Sequence, residues 1–293
     1  MARNRGCRDG ISLLFDDLLP GGSGLLGMLR VFLDRGEKRA PDDDVMSVVA
    51  TVFRRTRYKQ FLRPWNRMLK RWRVDAFHAT DFYNGAKPFE RKTPAANKRF
   101  EQDCKQIPAL IGMNAERIVT VAFRPNEFIA KASPWWKQNF GTNMHIMAVQ
   151  ICLLMNGLWI ERENPTEQFA YICESGELYE GTLVDTINRL KNSGYSSLIR
   201  TSSFTLANKG VAHGLEASDF VAWHWNKFYL DRLRKGLEPR RDFRAFVEIA
   251  HQRNIVELAF LTGDKLSRFF SIFEKARRDR LARDANAKGK TAQ

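Results

Sequence analysis

Two acidic side chains interrupt an apolar stretch at residues 214–223, which read GLEASDFVAW. The composition of this stretch predicts a buried helix, and residues three apart on a helix lie on nearly the same face. Glu216 and Asp219 are therefore expected to converge on one point. Because an unpaired carboxylate in apolar surroundings is costly, these two need a cation, a hydrogen-bond donor or a metal ion.

Two further carboxylates end apolar runs that predict core strands. Asp34 follows LRVFL, and Glu174 follows FAYIC. In mixed α/β sheets, sites collect at strand ends. Carboxylates brought together from two strands and one helix would form a hard-oxygen site for Mg²⁺ or Mn²⁺, and such ions activate water for phosphodiester cleavage. The alternative is that each acid pairs with one of the many arginines.

The elements that must position these residues alternate along the chain. Short apolar or β-branched runs predict strands at 29–34, 45–53, 75–82, 117–123, 168–175 and 197–204. Helical periodicity predicts helices at 54–73, from Thr93 onward, after 141, at 181–194 and at 214–235. A hairpin followed by alternating helices and strands indicates an α/β fold with a mixed sheet and helices on both faces.

Charge restricts the class of partner. The chain has 48 Lys and Arg against 33 Asp and Glu, a formal net charge of +15, which favours polyanions such as nucleic acid or an anionic membrane. The longest apolar run, residues 146–160, contains Gln150 and Asn156 and is shorter than the ~20 residues that span a bilayer. It predicts a core helix, without stable membrane insertion.

The motif order resembles that of the domain-of-unknown-function 3800 family, whose members have an RNase H-like fold. That family opens with a strand reading Ile-Asp-Glu-Ser-Gly and closes with a helix reading Leu-Gln-x-Ala-Asp. The matching stretches are FLDRGE at 32–37 and LEASDFVAW at 215–223. Between them, FHATDF at 77–82 resembles a Phe-His-x-x-Asp-Phe segment, and YICESG at 171–176 resembles a later acidic strand. The similarity spans about residues 28–235.

This resemblance implies an RNase H-like, metal-dependent nuclease with Asp34, Glu174 and Asp219 as catalytic metal ligands. Two positions depart from the family pattern. Arg35 stands where the family has an acid, and Glu216 stands where it has glutamine. Since a guanidinium beside Asp34 can repel a metal, either Glu216 and Glu37 compensate or this copy is catalytically weakened.

His78 is a further candidate catalytic residue, because a neutral imidazole can relay a proton or bind the scissile phosphate. The alternative is a histidine that caps a loop by bonding the backbone.

A basic segment predicts the surface that contacts RNA or DNA phosphates. No acidic residue occurs between Val45 and Val74. The proposed contacts are Arg54, Arg55, Arg57, Lys59, Arg63, Arg67, Lys70 and Arg71. The alternative is a solvated helix face that keeps the protein soluble.

The predicted organisation is a poorly ordered appendage at 1–27, one RNase H-like domain with a helical C-terminal elaboration at 28–273, and a basic tail at 274–293. The four cysteines are far apart and form no CxxC pair, which favours reduced thiols and a cytoplasmic protein. The rival to a nuclease is a non-catalytic module that binds nucleic acid or a protein partner, with Arg35 or another internal cation in the acidic site. The sequence does not distinguish a monomer from an oligomer.

Overall fold

A six-stranded sheet is the framework of the structure, a computed structural model. The described residues are 29–38, 45–140, 143–176, 180–192, 196–236, 238, 240–261, 263–268, 270–271, 274–275 and 278–279. Strands β1 to β6 are Leu29–Lys38, Val45–Arg54, Arg117–Phe123, Phe169–Glu174, Thr201–Ala207 and Val256–Leu261. The helices labelled here α1 to α10 are Arg55–Trp72, Ala79–Asn84, Pro94–Asn114, Pro125–Lys131, Pro134–Phe140, Met144–Glu163, Glu180–Lys191, Ser196–Ile199, His213–Lys235 and Arg241–Gln252.

The sheet is mixed, as the sequence predicts. Its strand order is β5-β4-β1-β2-β3-β6. Strands β1, β2 and β3 are antiparallel neighbours, while β4 and β5 extend the sheet beyond β1 in parallel, and β6 pairs in parallel with β3. The α/β class with a mixed sheet is therefore confirmed.

Alternation of side chains along each strand gives the sheet two apolar faces. On β1, Val31 and Leu33 pack in a cluster with α6 and α7. Phe32, between them, points to the opposite face, where it joins a cluster that includes α1, α3, α9 and α10. Because a strand alternates with a period of two, one apolar run can serve both layers, and helices cover both faces.

Several local predictions are confirmed. Strands β1 and β2 form the predicted hairpin, with Leu33 opposite Ala50. Thr93 caps α3, because its hydroxyl accepts a hydrogen bond from the Ala96 amide at 3.2 Å.

The predicted strand at 75–82 is wrong. Residues 75–78 lie outside the sheet, and α2 begins at Ala79 and ends at Asn84, with Gly85 at φ +67° as its C-cap. Phe77 and Phe82 instead pack in a buried aromatic cluster with Trp72. Their burial comes from contact with helices and not from a position in the sheet. The predicted strand at 197–204 divides into the end of α8 and the start of β5.

Helix α6 is long and apolar enough to cross a membrane by length and composition, but 72% of its most apolar window is buried inside the protein. It packs against the sheet with Ile151 and Leu153. This is the environment that the sequence predicts for a core helix.

Some predictions concern residues outside the described part of the chain. The appendage at 1–27, with Cys7, lies outside the described residues, and so does most of the tail at 274–293. Among the described cysteines, Cys152 and Cys173 are buried free thiols, and Cys104 is a half-buried one.

Gly214 sets the distance between α9 and β1. A Cβ added to it would lie 2.3 Å from the Phe32 ring, which is far closer than van der Waals contact. Helix α9 can therefore approach β1 closely only because residue 214 has no side chain.

Replacing Gly214 by Ala should lower the free energy of unfolding by about 1–3 kcal/mol, because the helix or the Phe32 ring must move. Gly181→Ala is the matched control, since a Cβ there meets nothing within 4 Å. It should be neutral or stabilising by about 0.5–1 kcal/mol. Urea denaturation of both variants measures the difference, and equal stabilities would contradict the assigned close approach.

Candidate functional site

Strand register brings Asp34 and Glu174 together. Strands β1 and β4 are parallel, with Leu33 opposite Cys173, and the two acids are the next residues on each strand. Since Leu33 and Cys173 both point to the α6 face, alternation directs the two carboxylates to the opposite face. Helix α9 covers that face.

Asp219 reaches the same point from α9. Its neighbour Ser218 is buried and donates a hydrogen bond to the Phe32 carbonyl at 2.8 Å, which fixes this turn of the helix on β1. The Asp219 carboxylate accepts a hydrogen bond from the Ala79 amide at 2.9 Å, at the start of α2. Strand β1 and helices α9 and α2 therefore determine its position.

The ammonium of Lys209 lies between the three acids. Its Nζ is 3.1 Å from Asp34 Oδ2, 3.2 Å from Glu174 Oε2 and 3.4 Å from Asp219 Oδ2. We call Asp34, Glu174 and Asp219 the acidic cluster. The sequence predicted that these three residues meet, and the structure brings them together around a cation of the protein itself.

A short turn between β5 and α9 places Lys209 in the cluster. The Asn208 carbonyl accepts hydrogen bonds from the amides of Val211 and Ala212, at 3.0 and 2.9 Å. Glu174 on β4 is paired with Ala207 on β5, and Lys209 follows Ala207 by two residues. The strand pairing thus puts the ammonium beside the carboxylate.

Burial and charge act against each other in the cluster. Burial raises the pKa of Asp34 well above its usual range; Lys209 lowers it in part, while Asp219 and Glu174 raise it further. For Lys209, burial opposes the charged form, but the three carboxylates outweigh it and raise the pKa. With all four groups ionised, three negative charges face one positive charge.

The acidic cluster fits a divalent cation in its type of ligand. Carboxylate oxygens are the ligands that Mg²⁺ and Mn²⁺ prefer. Oδ2 of Asp34 is buried and, within the described part of the chain, accepts no well-aligned hydrogen bond. The oxygens, however, are spaced for an ammonium, at 3.1–3.4 Å from Lys209 Nζ. Among the described residues, no three His, Cys, Asp or Glu side chains are arranged to hold a metal. Mg²⁺ needs oxygens at about 2.0–2.1 Å, so the cluster would contract as Lys209 leaves.

The Glu216 carboxylate lies outside the acidic cluster and binds Trp65 and His213. Glu216 is fully buried, and its carboxylate accepts a hydrogen bond from the Trp65 indole and pairs with His213 Nδ1 at 2.9 Å. Burial raises the pKa of Glu216, while the bonds to His213, Trp65 and the Phe77 backbone lower it. The structure therefore places Glu216 in a link between α9 and α1, and it does not bring its carboxylate to Lys209.

His78 lies at the edge of the site. It is exposed and precedes Ala79, the residue whose amide binds Asp219. As the N-cap of α2 it makes no side-chain capping bond. Its catalytic role stays a prediction, which its position near the acidic cluster permits.

Apart from Arg55, the proposed phosphate contacts of the basic segment divide into two groups. Arg54, Arg57 and Arg71 pair with acids on neighbouring elements, so they fasten α1 to the fold. Arg55 is exposed. A second group is exposed and has no ion pair within the described part of the chain: Lys59, Arg63, Arg67 and Lys70.

We call this second group the basic stripe. Its spacing places the four side chains within about 80° of the helix circumference, over a length of about 16 Å. Phe61, Trp65 and Met68 on the opposite face are buried. Contact of the stripe with phosphates stays a prediction.

Lys209 is the site residue that sequence reasoning missed. It stands in the turn LANKGVAHG, one of 48 basic residues, with no spacing that marks it. Its one signal is its position between a predicted strand and the helix that carries Asp219. The sequence-based prediction allowed an internal cation but named Arg35, whose amide donates to Asp34 Oδ1 at 2.8 Å.

No protein-family model matches this chain, and a search of curated proteins gives no significant match. The resemblance to the domain-of-unknown-function 3800 family stays a prediction from the motifs.

Asp34→Asn should stabilise the protein above about pH 4, because it removes a charge that burial disfavours. A raised pKa in the folded state means that wild-type stability falls as pH rises from about 4 through that pKa. The stability gain of the variant should therefore grow across this interval and then level off, with each unit of pKa elevation contributing about 1.4 kcal/mol.

Urea denaturation between about pH 4 and pH 8 measures this difference. The control is Asp185→Asn, at an exposed position on α7, which should leave the pH dependence unchanged. A destabilised Asp34→Asn protein at neutral pH would show that Lys209 needs all three carboxylates.

Proposed function

We propose that this protein is a divalent-metal-dependent nuclease that hydrolyses phosphodiester bonds in RNA or DNA at the acidic cluster. The observation that carries the proposal is the convergence of three carboxylates, from β1, β4 and α9, on one point at the end of the sheet. Partial exposure of Glu174 and Asp219, at 24% and 15% of their side chains, opens this point to a substrate, while Asp34 forms its floor.

We also propose that the fold is RNase H-like. Support comes from a three-stranded antiparallel unit, β1 to β3, extended beyond β1 by the parallel strands β4 and β5. The acids then occupy the first strand, the fourth strand and the helix after the fifth, which is the distribution that the motif resemblance implies. Strand β6, beside β3, is an addition to this arrangement.

In this proposal, Asp34, Glu174 and Asp219 hold the metal in place of Lys209. Bound Mg²⁺ or Mn²⁺ supplies charge stabilisation for the phosphoryl oxygens and an activated water. Lys209, released from the carboxylates, keeps its charge beside the site, where it can pair with a non-bridging phosphate oxygen. The Ala79 amide holds Asp219 in its orientation.

The basic stripe supports a nucleic-acid substrate. Helix α1 covers the same face of the sheet as α9, and Trp65 joins the two helices through Glu216. Four exposed cations along this layer provide a surface for several phosphates, and neutralising each phosphate releases counterions. Binding should therefore weaken steeply as salt increases.

The direct test compares cleavage of labelled RNA and DNA by wild type and Asp219→Asn, with Mn²⁺ and with chelator. Wild type should cleave only with metal, and Asp219→Asn should be slower by at least about 100-fold, because a metal ligand is lost. Asp185→Asn, on exposed α7, is the control and should cleave like wild type. Equal cleavage by wild type and Asp219→Asn, or none by either, would contradict the proposal.

The three ion pairs of Lys209 favour a second candidate function. If the ammonium stays in the acidic cluster, the protein is a non-catalytic module that binds nucleic acid through the basic stripe. The cleavage experiment, together with a binding measurement on the same labelled strands, separates the two candidates, because this module binds the strands in a salt-sensitive way and cleaves none in Mn²⁺.

A further inference from the structure

Helix α9 has a solvent-facing stripe that begins in the acidic cluster. From 213 to 226 the helix is buried except at Asp219 and Trp223, and Lys227 is the next residue that is partly exposed. These three residues are spaced by four, so they lie along one face at intervals of about 6 Å. The accessible surface of the site therefore continues along this helix.

Helix α2 runs beside the solvent-facing residues of α9 and contacts them at the same four-residue spacing. Ala79 contacts Asp219, and Tyr83, four residues later, stacks on Trp223 with ring centroids 4.2 Å apart and planes 12° apart. The Tyr83 hydroxyl lies 2.9 Å from His224 Nε2, which fixes the ring in the core. Tyr83 is buried, whereas Trp223 keeps part of its surface in solvent. We call these two rings the stacking platform.

Cations border the stacking platform. Lys227 Nζ is 5.5 Å from the Trp223 ring, and Arg240 Cζ is 5.6 Å from it and 4.7 Å from the Tyr83 ring. Tyr83 is buried and covers one face of Trp223, so a base can stack only on the remaining, partly exposed surface of Trp223, and the cations that lie over the rings can pair with its phosphates. Arg240 also pairs with Asp242 at 3.5 Å.

We infer that the stacking platform binds a base of single-stranded nucleic acid next to the acidic cluster. A strand whose phosphate lies at Asp219 would place a neighbouring base at Trp223, about 6 Å along the helix, and a further phosphate at Lys227. This inference rests on the proposed function, because it takes the occupant of the site to be a nucleic acid. It assigns the substrate to the single-stranded class, since paired bases in a duplex do not expose their faces for stacking.

The test measures binding, in chelator, of a fluorescein-labelled oligothymidylate of about 12 nucleotides and of the corresponding duplex. Trp223→Ala should bind the single strand about 5- to 100-fold more weakly than wild type. Trp159→Ala is the matched control: Trp159 is also partly exposed beside a cation, Arg117 at 5.0 Å, but packs on the opposite face of the sheet. It should bind like wild type.

A second variant guards against misfolding of Trp223→Ala. Lys227→Gln keeps the platform and should lower single-strand affinity and its dependence on salt, with an unchanged circular dichroism spectrum. Single-strand binding by Trp223→Ala and Lys227→Gln equal to that of wild type would overturn the inference, even if the protein cleaves nucleic acid. Equal affinity of the wild type for the single strand and the duplex would also overturn it. Trp223-dependent binding without cleavage would uphold the platform and reject the nuclease.

Discussion

The mutual repulsion of three carboxylates at the end of the sheet is the constraint on which this site depends. Parallel pairing of β1 with β4 forces Asp34 and Glu174 together, and close packing of α9 on β1 adds Asp219. Such a group is stable only with a cation in it, because burial weakens the solvation of every charge. Lys209 supplies that cation from the turn before α9.

The need for a cation explains why the same geometry suits two functions. Lys209 neutralises one of three negative charges, so the acidic cluster keeps an excess of negative charge that a divalent ion would balance better. An ammonium on a flexible stem can leave without moving the backbone. The proposed nuclease uses this exchange, whereas a binding module would keep the ion pairs permanently.

Much of the fold could be predicted from the sequence, since the hairpin and α9 follow from apolar patterning, α6 from its long apolar run and the start of α3 from Thr93. The convergence of Asp34, Glu174 and Asp219 also followed, because strand ends collect in one place. The position of Lys209 could not be predicted, since it depends on a turn whose conformation tertiary contacts set. Glu216 shows the opposite limit: helical spacing placed it near Asp219, but its carboxylate binds His213 on the same helix and Trp65, which is 151 residues away in sequence and could not be predicted as a partner.

Anomalous diffraction from crystals soaked in Mn²⁺ tests the central claim most directly, because it locates the ion and Lys209 in one map. The exchange of Lys209 for a metal predicts a peak within about 2.5 Å of oxygens from Asp34, Glu174 and Asp219, with the ammonium displaced from its 3.1–3.4 Å contacts. No peak at that point, with Lys209 still paired to all three carboxylates, would contradict it.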